Sequence, residues 1–398
     1  MTRRGDDPVV IVGAARTPTG GFRGCLSSLS CPALGSVAVR AAVERSGVDV
    51  ADVDEVVMGC VLSAGLGQAP ARQALRGAGL PDRVAATTVN KMCGSGMRAA
   101  MMAYDMLLAG SASVVVAGGM ESMSNAPHLI KNARSGLRMG SGKVLDHMFL
   151  DGLEDAYDRG RLMGTFAEDT AAAYGFSRQQ QDAFALGSLE RALAAARSGA
   201  AAAEIAPVAV PAGNGEAQVT VDEPPTLARP EKIPTLRPAF HPDGTITAAN
   251  ASSISDGAAA VVMMRLSDAQ RRGLSPVATL VAHATEAREP SQFTTAPVGA
   301  IQRVLGKAGW SKRDVDLWEI NEAFAVVTMV AIHDLGLPHD AVNIHGGACA
   351  LGHPIGASGA RIVVTLLQAL RQNGLKRGIA SLCIGGGEAT ALALELVM

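Results

Sequence analysis

The sequence repeats itself over a long interval. Four stretches of its first third recur in the same order in its last third, separated by 257 to 267 residues. The pairs are "DVDEVVMG" (52–59) with "DVDLWEIN" (314–321), "GLP" (79–81) with "GLP" (336–338), "SGMRAA" (95–100) with "SGARIV" (358–363), and "VVVAGGMES" (114–122) with "SLCIGGGEA" (381–389). Parallel α/β proteins share some strand–helix punctuation, but four ordered matches indicate an internal duplication. The chain is therefore expected to fold as two related halves.

Each half alternates short Val-rich runs with longer helical patterns. In the first half "PVVIVGAA" (8–15), "VDEVVMGCV" (53–61) and "ASVVVAGGM" (112–120) have the composition of buried strands. In the second half "VDLWEINEA" (315–323) and "IASLCIGGG" (379–387) have the same composition. Uninterrupted apolar strands that alternate with helices are typical of a parallel sheet covered on both faces.

The segment between the repeats has a different character. It contains a helical pattern at 177–199 and a Pro-rich stretch, "VDEPPTLARPEKIPTLRPAF", at 221–240. Long irregular segments in compact proteins usually serve function. Three units are predicted: an N-terminal half formed by residues 1–122 and 248–272, an inserted loop subdomain at 123–247, and a C-terminal half at 273–398.

Composition excludes several classes of function. The formal net charge is -2 with acidic and basic residues mixed, so a nucleic-acid or anionic membrane partner is not expected. The opening "MTRRGDDPVVIVGAARTP" is too acidic, and its apolar run too short, for a signal peptide. The six cysteines include no CxxC pair and do not resemble a secreted disulfide framework, which predicts a cytoplasmic, reducing environment.

Cys93 is the first candidate catalytic residue. It lies in "NKMCGSGMRAA" (90–100), where a predicted strand ends and a helix begins between glycines. A lone cysteine more often packs as a small core residue, but this flank resembles the turn that exposes a hydrolase nucleophile. The positive end of the helix is expected to lower the pKa of the thiol from the usual value of about 8.5.

The same stretch permits a competing interpretation. "GSGMRA" fits the dinucleotide-binding pattern G-x-G-x-x-A, which would predict an NAD-dependent oxidoreductase. The pattern is short, it does not follow the first strand of its half, and no acidic residue ends the next strand at the expected distance. A nucleophile is the favoured interpretation.

The duplication predicts that three reactive side chains converge. His353, in "LGHPIGASG", precedes the helix that corresponds to the one after Cys93. Cys383, in "SLCIGGG", ends the strand that corresponds to 114–122. If corresponding elements meet at a pseudo-twofold axis, two thiols and an imidazole share one cleft. Unconnected core cysteines, or a zinc site made by the same three residues, are the alternatives, and no ligand spacing favours zinc.

Five stretches together resemble the thiolase family over nearly the whole chain. They are "NKMCGSGMRA", "GTITAANASSISDGAAA", "NEAFA", "GGACALGHPIGASGAR" and "CIGGG". The resemblance implies an α/β thiolase fold, with duplicated βαβαβαββ halves whose two mixed sheets pack in an α-β-α-β-α arrangement. It also implies reversible Claisen condensation and thiolysis of 3-ketoacyl-CoA, including acetyl-CoA C-acetyltransferase activity, through a ping-pong mechanism with CoA as substrate and neither a metal nor a cofactor.

The resemblance assigns roles to five residues. Cys93 is the nucleophile that becomes acylated, His353 accepts its proton, and Cys383 exchanges a proton with the α-carbon of the acetyl group. His353 and a water held by Asn321 would stabilise the enolate. The backbone N–H groups of Cys93 and Gly385 would stabilise the tetrahedral intermediate.

The resemblance also predicts the CoA and acyl sites, with two departures from the family pattern. The predicted contacts are Ser252, Ala248, Met163, Leu153, Ala323 and Phe324, although ordinary core packing explains several of them equally well. Leu162 stands where some short-chain thiolases carry a histidine, which puts strict acetoacetyl specificity in doubt. Thr226 stands where an arginine often lies near the adenine, and Arg229 is a candidate to compensate.

Several alternatives stay open at this point. A ketoacyl-synthase-type condensing enzyme would use a second histidine where this chain has Cys383, and a non-catalytic binding protein would be expected to have lost Cys93 or His353. Proximity of Cys93 and Cys383 would permit a redox-sensitive disulfide. A homo-oligomer is expected, either a dimer or a tetramer, and the edge strand "AATTVN" (85–90) suits pairing across a twofold axis.

Overall fold

The computed structural model describes residues 7–397. The first six residues and Met398 lie outside the described residues, and with them the opening of the assessed N-terminal stretch and the predicted unit boundaries at 1 and 398. No helix within 7–397 is long and apolar enough to cross a membrane.

Fourteen strands are found in the described part of the chain. In chain order they are β1 (Val9–Arg16), β2 (Gly20–Gly21), β3 (Glu55–Gly59), β4 (Ala85–Val89), β5 (Val114–Ser122), β6 (His128–Ile130), β7 (Val144–Asp146), β8 (Val208–Ala212), β9 (Gly215–Val219), β10 (Ser255–Arg265), β11 (Ala278–Ala287), β12 (Leu317–Ile320), β13 (Arg377–Ile384) and β14 (Glu388–Leu396).

Eleven α-helices accompany them over the same residues. They are α1 (Cys31–Ser46), α2 (Pro70–Gly77), α3 (Ser95–Ala109), α4 (Met163–Tyr174), α5 (Arg178–Ser198), α6 (Glu223–Leu227), α7 (Leu266–Arg271), α8 (Ala296–Ala308), α9 (Ala325–Leu335), α10 (Ala348–Leu351) and α11 (Ile355–Gln372). Helices α3 and α11 are the corresponding helices predicted to follow Cys93 and His353.

The duplicated halves build two related mixed sheets. In the first half the strand order is β1-β10-β5-β3-β4, with β3 parallel to both β4 and β5 and with β10 antiparallel to both its neighbours. In the second half the order is β12-β13-β14-β11, and only β12 and β13 run parallel. The predicted α/β class with mixed sheets is confirmed.

The two sheets are joined at one corner. Strands β1 and β11 pair through two residue pairs, Val10 with Thr279 and Ile11 with Ala278. The ladders form one ten-stranded sheet, in which nine strands follow one continuous path and the short strand β2 pairs with β10 off that path. The predicted pair of sheets is thus present as two halves of a single hydrogen-bonded sheet.

Helices α3 and α11 form the central layer. They pack on each other and on strands of both halves, while α1 and α2 cover the outer face of the first half and α8 covers that of the second. The central crossing requires small residues, because a Cβ on Gly96 would lie 2.8 Å from the backbone N of Ala360. This crossing brings the beginnings of α3 and α11 side by side.

The inserted segment is anchored to the first half by a buried arginine. At the end of β1, Arg16 is 1% exposed, and its guanidinium donates to Glu204 at 2.7 Å and to both carboxylate oxygens of Asp222 at 2.7 and 2.9 Å. A buried charge is tolerated when it is paired in this way. The interaction holds both ends of the β8–β9 hairpin against the core.

Candidate active site

The turn that carries Cys93 is strained and tightly bonded. Met92 has φ 47°, a left-handed conformation that residues other than glycine seldom adopt. The hydroxyl of Ser95 accepts from the N–H of Lys91 at 2.8 Å and donates to the carbonyl of Met92 at 2.6 Å. These bonds hold the half-buried Cys93 directly before α3.

The expected effect of the helix on Cys93 was wrong. Burial raises the pKa of the Cys93 thiol to about 11, and the N–H groups of Gly385 and of Cys93 itself lower it only in part. A nearby carboxylate, Glu121, raises it further. The side chain is therefore a protonated thiol in the free protein, because desolvation outweighs the favourable helix end.

Cys383 lies next to Cys93 from the opposite half. It is 1% exposed within β13, and burial raises the pKa of its thiol well above the usual value, with the neighbouring Cys93 as the next contribution. Gly385 follows at the end of the strand and directs its N–H to the Cys93 sulfur. The duplicated strand end thus places a second thiol and a backbone donor at the first.

His353 is held in one tautomer by a serine. The Ser358 hydroxyl donates to the carbonyl of Pro354 at 2.9 Å, and it lies 2.6 Å from His353 Nδ1. Because the single hydroxyl proton is used by Pro354, Nδ1 must carry the hydrogen of the second bond. Nε2 is then an unprotonated base, and among the described residues it has no hydrogen-bond partner.

The imidazole is neutral in the free protein. Burial lowers the pKa of His353 to about 3, and the positive charge of Arg361 lowers it further. Ile355, two residues along, packs in the same apolar cluster as Cys93. The loop that carries this neutral base therefore packs beside Cys93.

Asn321 is oriented by a buried ion pair. Its backbone N–H donates to Ser381 on β13, and its side-chain oxygen accepts from Arg361 at 3.3 Å. Arg361 is held by Glu319 at 2.9 Å, with both side chains at most 5% exposed. The amide nitrogen consequently points to His353, with Nδ2 3.4 Å from Nδ1. Asn321 and His353 thus line the same part of the cleft.

The predicted acyl-binding residues divide between two apolar clusters. Met163, Ala323 and Phe324 pack in one cluster with Cys383. Leu153 packs in another with Cys93. A Cβ on Gly385 would lie 3.5 Å from the sulfur of Met163, so Met163 borders the backbone donor at the thiols. Apolar walls around a few polar groups are usual for a small-molecule site.

A surface cleft of about 320 Å³ leads away from the loop before β10. It is lined by Ala248 and Ser253, and it also contains the basic side chains Arg229 and Lys232. Ser252 lies beside this cleft and donates its N–H to the carbonyl of Ala323 at 3.0 Å. The predicted CoA residues Ala248 and Ser252 therefore connect the cleft to the wall formed by Ala323 and Phe324.

The two departures from the family pattern have defined surroundings. Leu162 immediately precedes α4 and makes no side-chain cap to that helix. Thr226 is exposed and donates its hydroxyl to the carbonyl of Glu223 within α6. Arg229, the candidate to compensate, lines the cleft, whereas Thr226 does not line it.

Metal-ligand geometry occurs away from the three predicted catalytic side chains. Within residues 7–397 the one group of histidine, cysteine or carboxylate side chains close enough to share a metal is Cys31, Cys60 and Glu121, all buried. The thiols of Cys31 and Cys60 lie 3.7 Å apart. Cys93, His353 and Cys383 do not form such a group, so the structure gives the zinc alternative no support.

Sequence reasoning missed the residues that hold the site together. Ser358, Arg361 and Glu319 orient His353 and Asn321, and none was singled out as functional. The duplication contained a signal for Ser358, since it corresponds to Ser95, which bonds within the other turn. Burial of Glu319 raises its pKa to about 8 even beside Arg361, and nothing in the local sequence indicates that.

Comparisons with known proteins agree over the whole described chain. Residues 9–267 match the family described as "Thiolase, N-terminal domain", and residues 274–396 match "Thiolase, C-terminal domain". The acetyl-CoA acetyltransferase of Cupriavidus necator is 48% identical, covering 97% of this chain and 99% of its own. Acetyl-CoA acetyltransferase 2 of Arabidopsis thaliana is 50% identical, covering 98% and 97%.

Two solved structures are similar throughout. The acetyl-CoA acetyltransferase of Bacillus anthracis superposes with a TM-score of 0.95 at 39% identity, over 98% of this chain and 99% of that one. A thiolase of Ascaris suum, solved in complex with coenzyme A, superposes with a TM-score of 0.93 at 42% identity, over 98% and 100%.

Proposed function

The chain belongs to the thiolase family of acyltransferases, and from this premise we propose how its own residues carry out the reaction. The activity is the reversible conversion of 3-ketoacyl-CoA and CoA to acetyl-CoA and a shortened acyl-CoA. The observation that supports the assignment of residues is the unpartnered Nε2 of a neutral His353, two residues before Ile355, which packs in one apolar cluster with Cys93. Proton transfer between these groups is the chemistry a Claisen reaction needs.

In the degradative direction the first step acylates Cys93. The Cys93 thiol gives its proton to His353 Nε2 as its sulfur attacks the 3-keto carbon. The C2–C3 bond breaks, the acyl group stays on Cys93, and the electron pair leaves as the enolate of acetyl-CoA. Cys383 gives its proton to that α-carbon, so acetyl-CoA departs and Cys383 is left as a thiolate.

The second step releases the shortened product. A free CoA thiol gives its proton to the Cys383 thiolate and attacks the Cys93 thioester. Shortened acyl-CoA leaves, and the imidazolium of His353 returns its proton to the Cys93 sulfur. Each proton returns to its starting group, so the cycle runs equally in the direction of condensation.

Two separate donor sets stabilise the two kinds of oxyanion. The N–H groups of Cys93 and Gly385 face the tetrahedral intermediate, which is supported by the direction of the Gly385 N–H toward the Cys93 sulfur. His353 and a water held by the Asn321 amide face the enolate. The bond from Arg361 to Asn321 Oδ1 supports this role, because it fixes the orientation of the amide beside His353.

We place coenzyme A in the cleft of about 320 Å³ that contains Arg229 and Lys232. Its diphosphate would lie near these cations, and its pantetheine arm would pass Ala248 and Ser252 to the wall of Met163, Leu153, Ala323 and Phe324. The reaction as written balances without a metal or a redox cofactor. Acetyl-CoA, 3-ketoacyl-CoA and CoA are the small-molecule partners.

We propose a degradative role in fatty-acid β-oxidation with short acyl groups preferred but not exclusively, because Leu162 replaces a polar group at the entrance of α4. A homotetrameric, or dimeric, assembly with β4 pairing across a twofold axis suits an edge strand with half-exposed residues.

Six free cysteines support a reducing, cytoplasmic compartment. The proposed units are an N-terminal half of residues 1–122 and 248–272, an inserted subdomain of residues 123–247, and a C-terminal half of residues 273–398. Under oxidising conditions Cys93 and Cys383 are proposed to form a disulfide.

One experiment tests the assignment and the specificity together. The purified chain is mixed with acetoacetyl-CoA without CoA, quenched, digested and examined by mass spectrometry, and acetyl on Cys93 is expected. Thiolysis rates are then measured from acetoacetyl-CoA to long and branched 3-ketoacyl-CoA, in the parent and in Leu162→His. The variant is expected to favour acetoacetyl-CoA more strongly. Acylation elsewhere than on Cys93 would contradict the proposed mechanism.

A further inference from the structure

Two glutamates occupy corresponding positions in the duplication. In the alignment of "VVVAGGMES" with "SLCIGGGEA", Glu121 matches Glu388. Glu121 lies near the end of β5, and Glu388 is the first residue of β14, after the glycine turn that follows Cys383. Neither is part of the proton-transfer chemistry above. Each nevertheless bonds to the catalytic loop of the opposite half.

Glu121 reaches the loop that carries His353. Its carboxylate accepts from the N–H groups of Val61 at 3.0 Å, Leu62 at 3.1 Å and Gly356 at 2.9 Å. Gly356 is three residues beyond His353 in the first turn of α11. Glu121 is 0% exposed, and a Cβ on Gly356 would lie 2.6 Å from its Oε2, so the contact is close. The first half thus fixes the start of the second half's helix.

Glu388 reaches the loop that carries Cys93. It forms an ion pair with Lys91, and both side chains are partly exposed, at 33% and 22%. The Lys91 backbone belongs to the strained turn, since its N–H donates to Ser95 and its carbonyl accepts from Gly94 at 3.0 Å. A Cβ on Gly94 would overlap Ile384, so this turn already lies against the second half.

We propose that Glu388 and Glu121 are a reciprocal pair of positioning residues, each holding the catalytic loop of the other half. The inference rests on the proposed roles of Cys93 and His353. Backbone strain such as that at Met92 persists only where surrounding contacts over-determine the turn. Glu388 adds a charged contact from the opposite half to that turn, and it sets the separation of Cys93 from Cys383 and Gly385.

The ion pair is suited to positioning rather than to stability. Partly exposed pairs contribute little to the free energy of unfolding, because water screens them. Small displacements of reacting groups, in contrast, change rates strongly. Loss of the pair is therefore expected to lower kcat while leaving the melting temperature and KM nearly unchanged.

The test compares Glu388→Gln and Lys91→Met with a matched control, Lys376→Met. The control removes a lysine that pairs with Glu395 on the surface of the same half as Glu388. For thiolysis of acetoacetyl-CoA, each of the two variants is expected to lower kcat about tenfold. The double variant should lose no more than either single one. The charge exchange Lys91→Glu with Glu388→Lys should recover most of the rate.

Glu121→Gln tests the other member of the pair. It replaces one acceptor oxygen by a donor that faces N–H groups, so the loop that carries His353 should shift. We expect kcat to fall, and the pH dependence of kcat/KM to change because the surroundings of His353 change. If this variant does not fold, Glu121→Asp, which keeps the charge and shortens the reach, is measured in its place.

Two results would overturn the pairing. One is a kcat for Glu388→Gln and Lys91→Met equal to that of Lys376→Met, and the other is losses that add in the double variant. A Cys93→Ala protein assayed alongside separates this failure from that of the mechanism. An active Cys93→Ala removes the proposed function, whereas an inactive one beside unaffected Lys91→Met removes only the positioning pair.

Discussion

The two halves share a scaffold but place different chemistry on it. Asp54 in the first half accepts from the N–H groups of Ser113 and Val114, where β5 begins. Its counterpart Asp316 accepts from Lys376 and Arg377, where β13 begins. The same carboxylate thus aligns the central strand of each half, and the shared parts of the duplication are those that build the sheet.

The halves diverge where α3 and α11 begin. The first half presents a thiol, Cys93, from a strained turn, and the second presents an imidazole, His353, three residues before the corresponding position. Gly59 in the first half corresponds to Asn321 in the second. Since the helices cross at the axis, each half supplies what the other lacks. The cleft therefore has the nucleophilic thiol on one side and the imidazole with the second thiol on the other. Substitutions on each side should have different effects.

The largest effect is expected from removal of the first half's thiol. Cys93→Ala should abolish thiolysis, with a loss of at least about 10⁴-fold in kcat, because no other group can carry the acyl chain. The measurement is thiolysis of acetoacetyl-CoA followed by loss of the 3-keto absorbance. Cys25→Ala, at a half-buried thiol whose pKa is raised by burial and by the nearby Glu223, is the control and should retain parental activity.

Removal of the second half's thiol should separate the two steps. Cys383→Ala is expected to lower overall thiolysis about 10³-fold, because proton exchange at the α-carbon then lacks its acid and base. Transfer of acetyl from acetyl-CoA to Cys93 needs no proton at carbon and loses only the acid that protonates the departing CoA thiolate, a good leaving group, so it should be slowed far less than thiolysis. Mass spectrometry of Cys383→Ala with acetyl-CoA should show an acetylated Cys93 peptide. Its absence would mean that the two thiols act as one unit.

The fold was largely predictable because its signals are repetitive. Val-rich strands, the ordered repeats and the family motifs predicted the α/β class, which is confirmed, whereas the bounds of the insertion and the roles of the site residues stay predictions. The supporting bonds were not predictable, because their partners lie far apart in sequence. Nothing near Arg361 indicates that it orients Asn321, and nothing near Lys91 indicates Glu388. The pKa of Cys93 depends on the balance between burial and N–H donors, which only the packed structure decides.

A smaller effect is expected at the matched serines. Ser358→Ala removes the acceptor of the His353 Nδ1–H, and loss of a partner that orients a functional histidine typically lowers activity by about 10- to 100-fold. The pH dependence of kcat/KM should change as well, because the tautomer is no longer fixed. Ser95→Ala removes the corresponding hydroxyl from the Cys93 turn and should lower the melting temperature without moving the pH profile. Identical pH profiles in both variants would contradict the role of Ser358.

The smallest expected effect is a gradual change with pH in the reactivity of the two thiols. Because burial raises the pKa of Cys93 to about 11, the reactive thiolate fraction should increase about tenfold for each pH unit between 7 and 10. Alkylation by iodoacetamide, followed by peptide mass spectrometry, should rise accordingly, without the plateau that a free thiol shows above about 8.5.

Cys383, whose pKa burial and the adjacent sulfur raise well above the usual value, is also the more deeply buried thiol and should react more slowly than Cys93 at every pH. A Cys93 alkylation rate that is high and constant from pH 6 to 9 would instead indicate a preformed thiolate–imidazolium pair, and it would mean that the two halves are already charged before substrate binds. A rising profile means that the substrate itself triggers the proton transfer from Cys93 to His353. In that case the chain keeps its cleft neutral and dry, and the charge develops only where the two N–H groups and Asn321 stand ready to stabilise it.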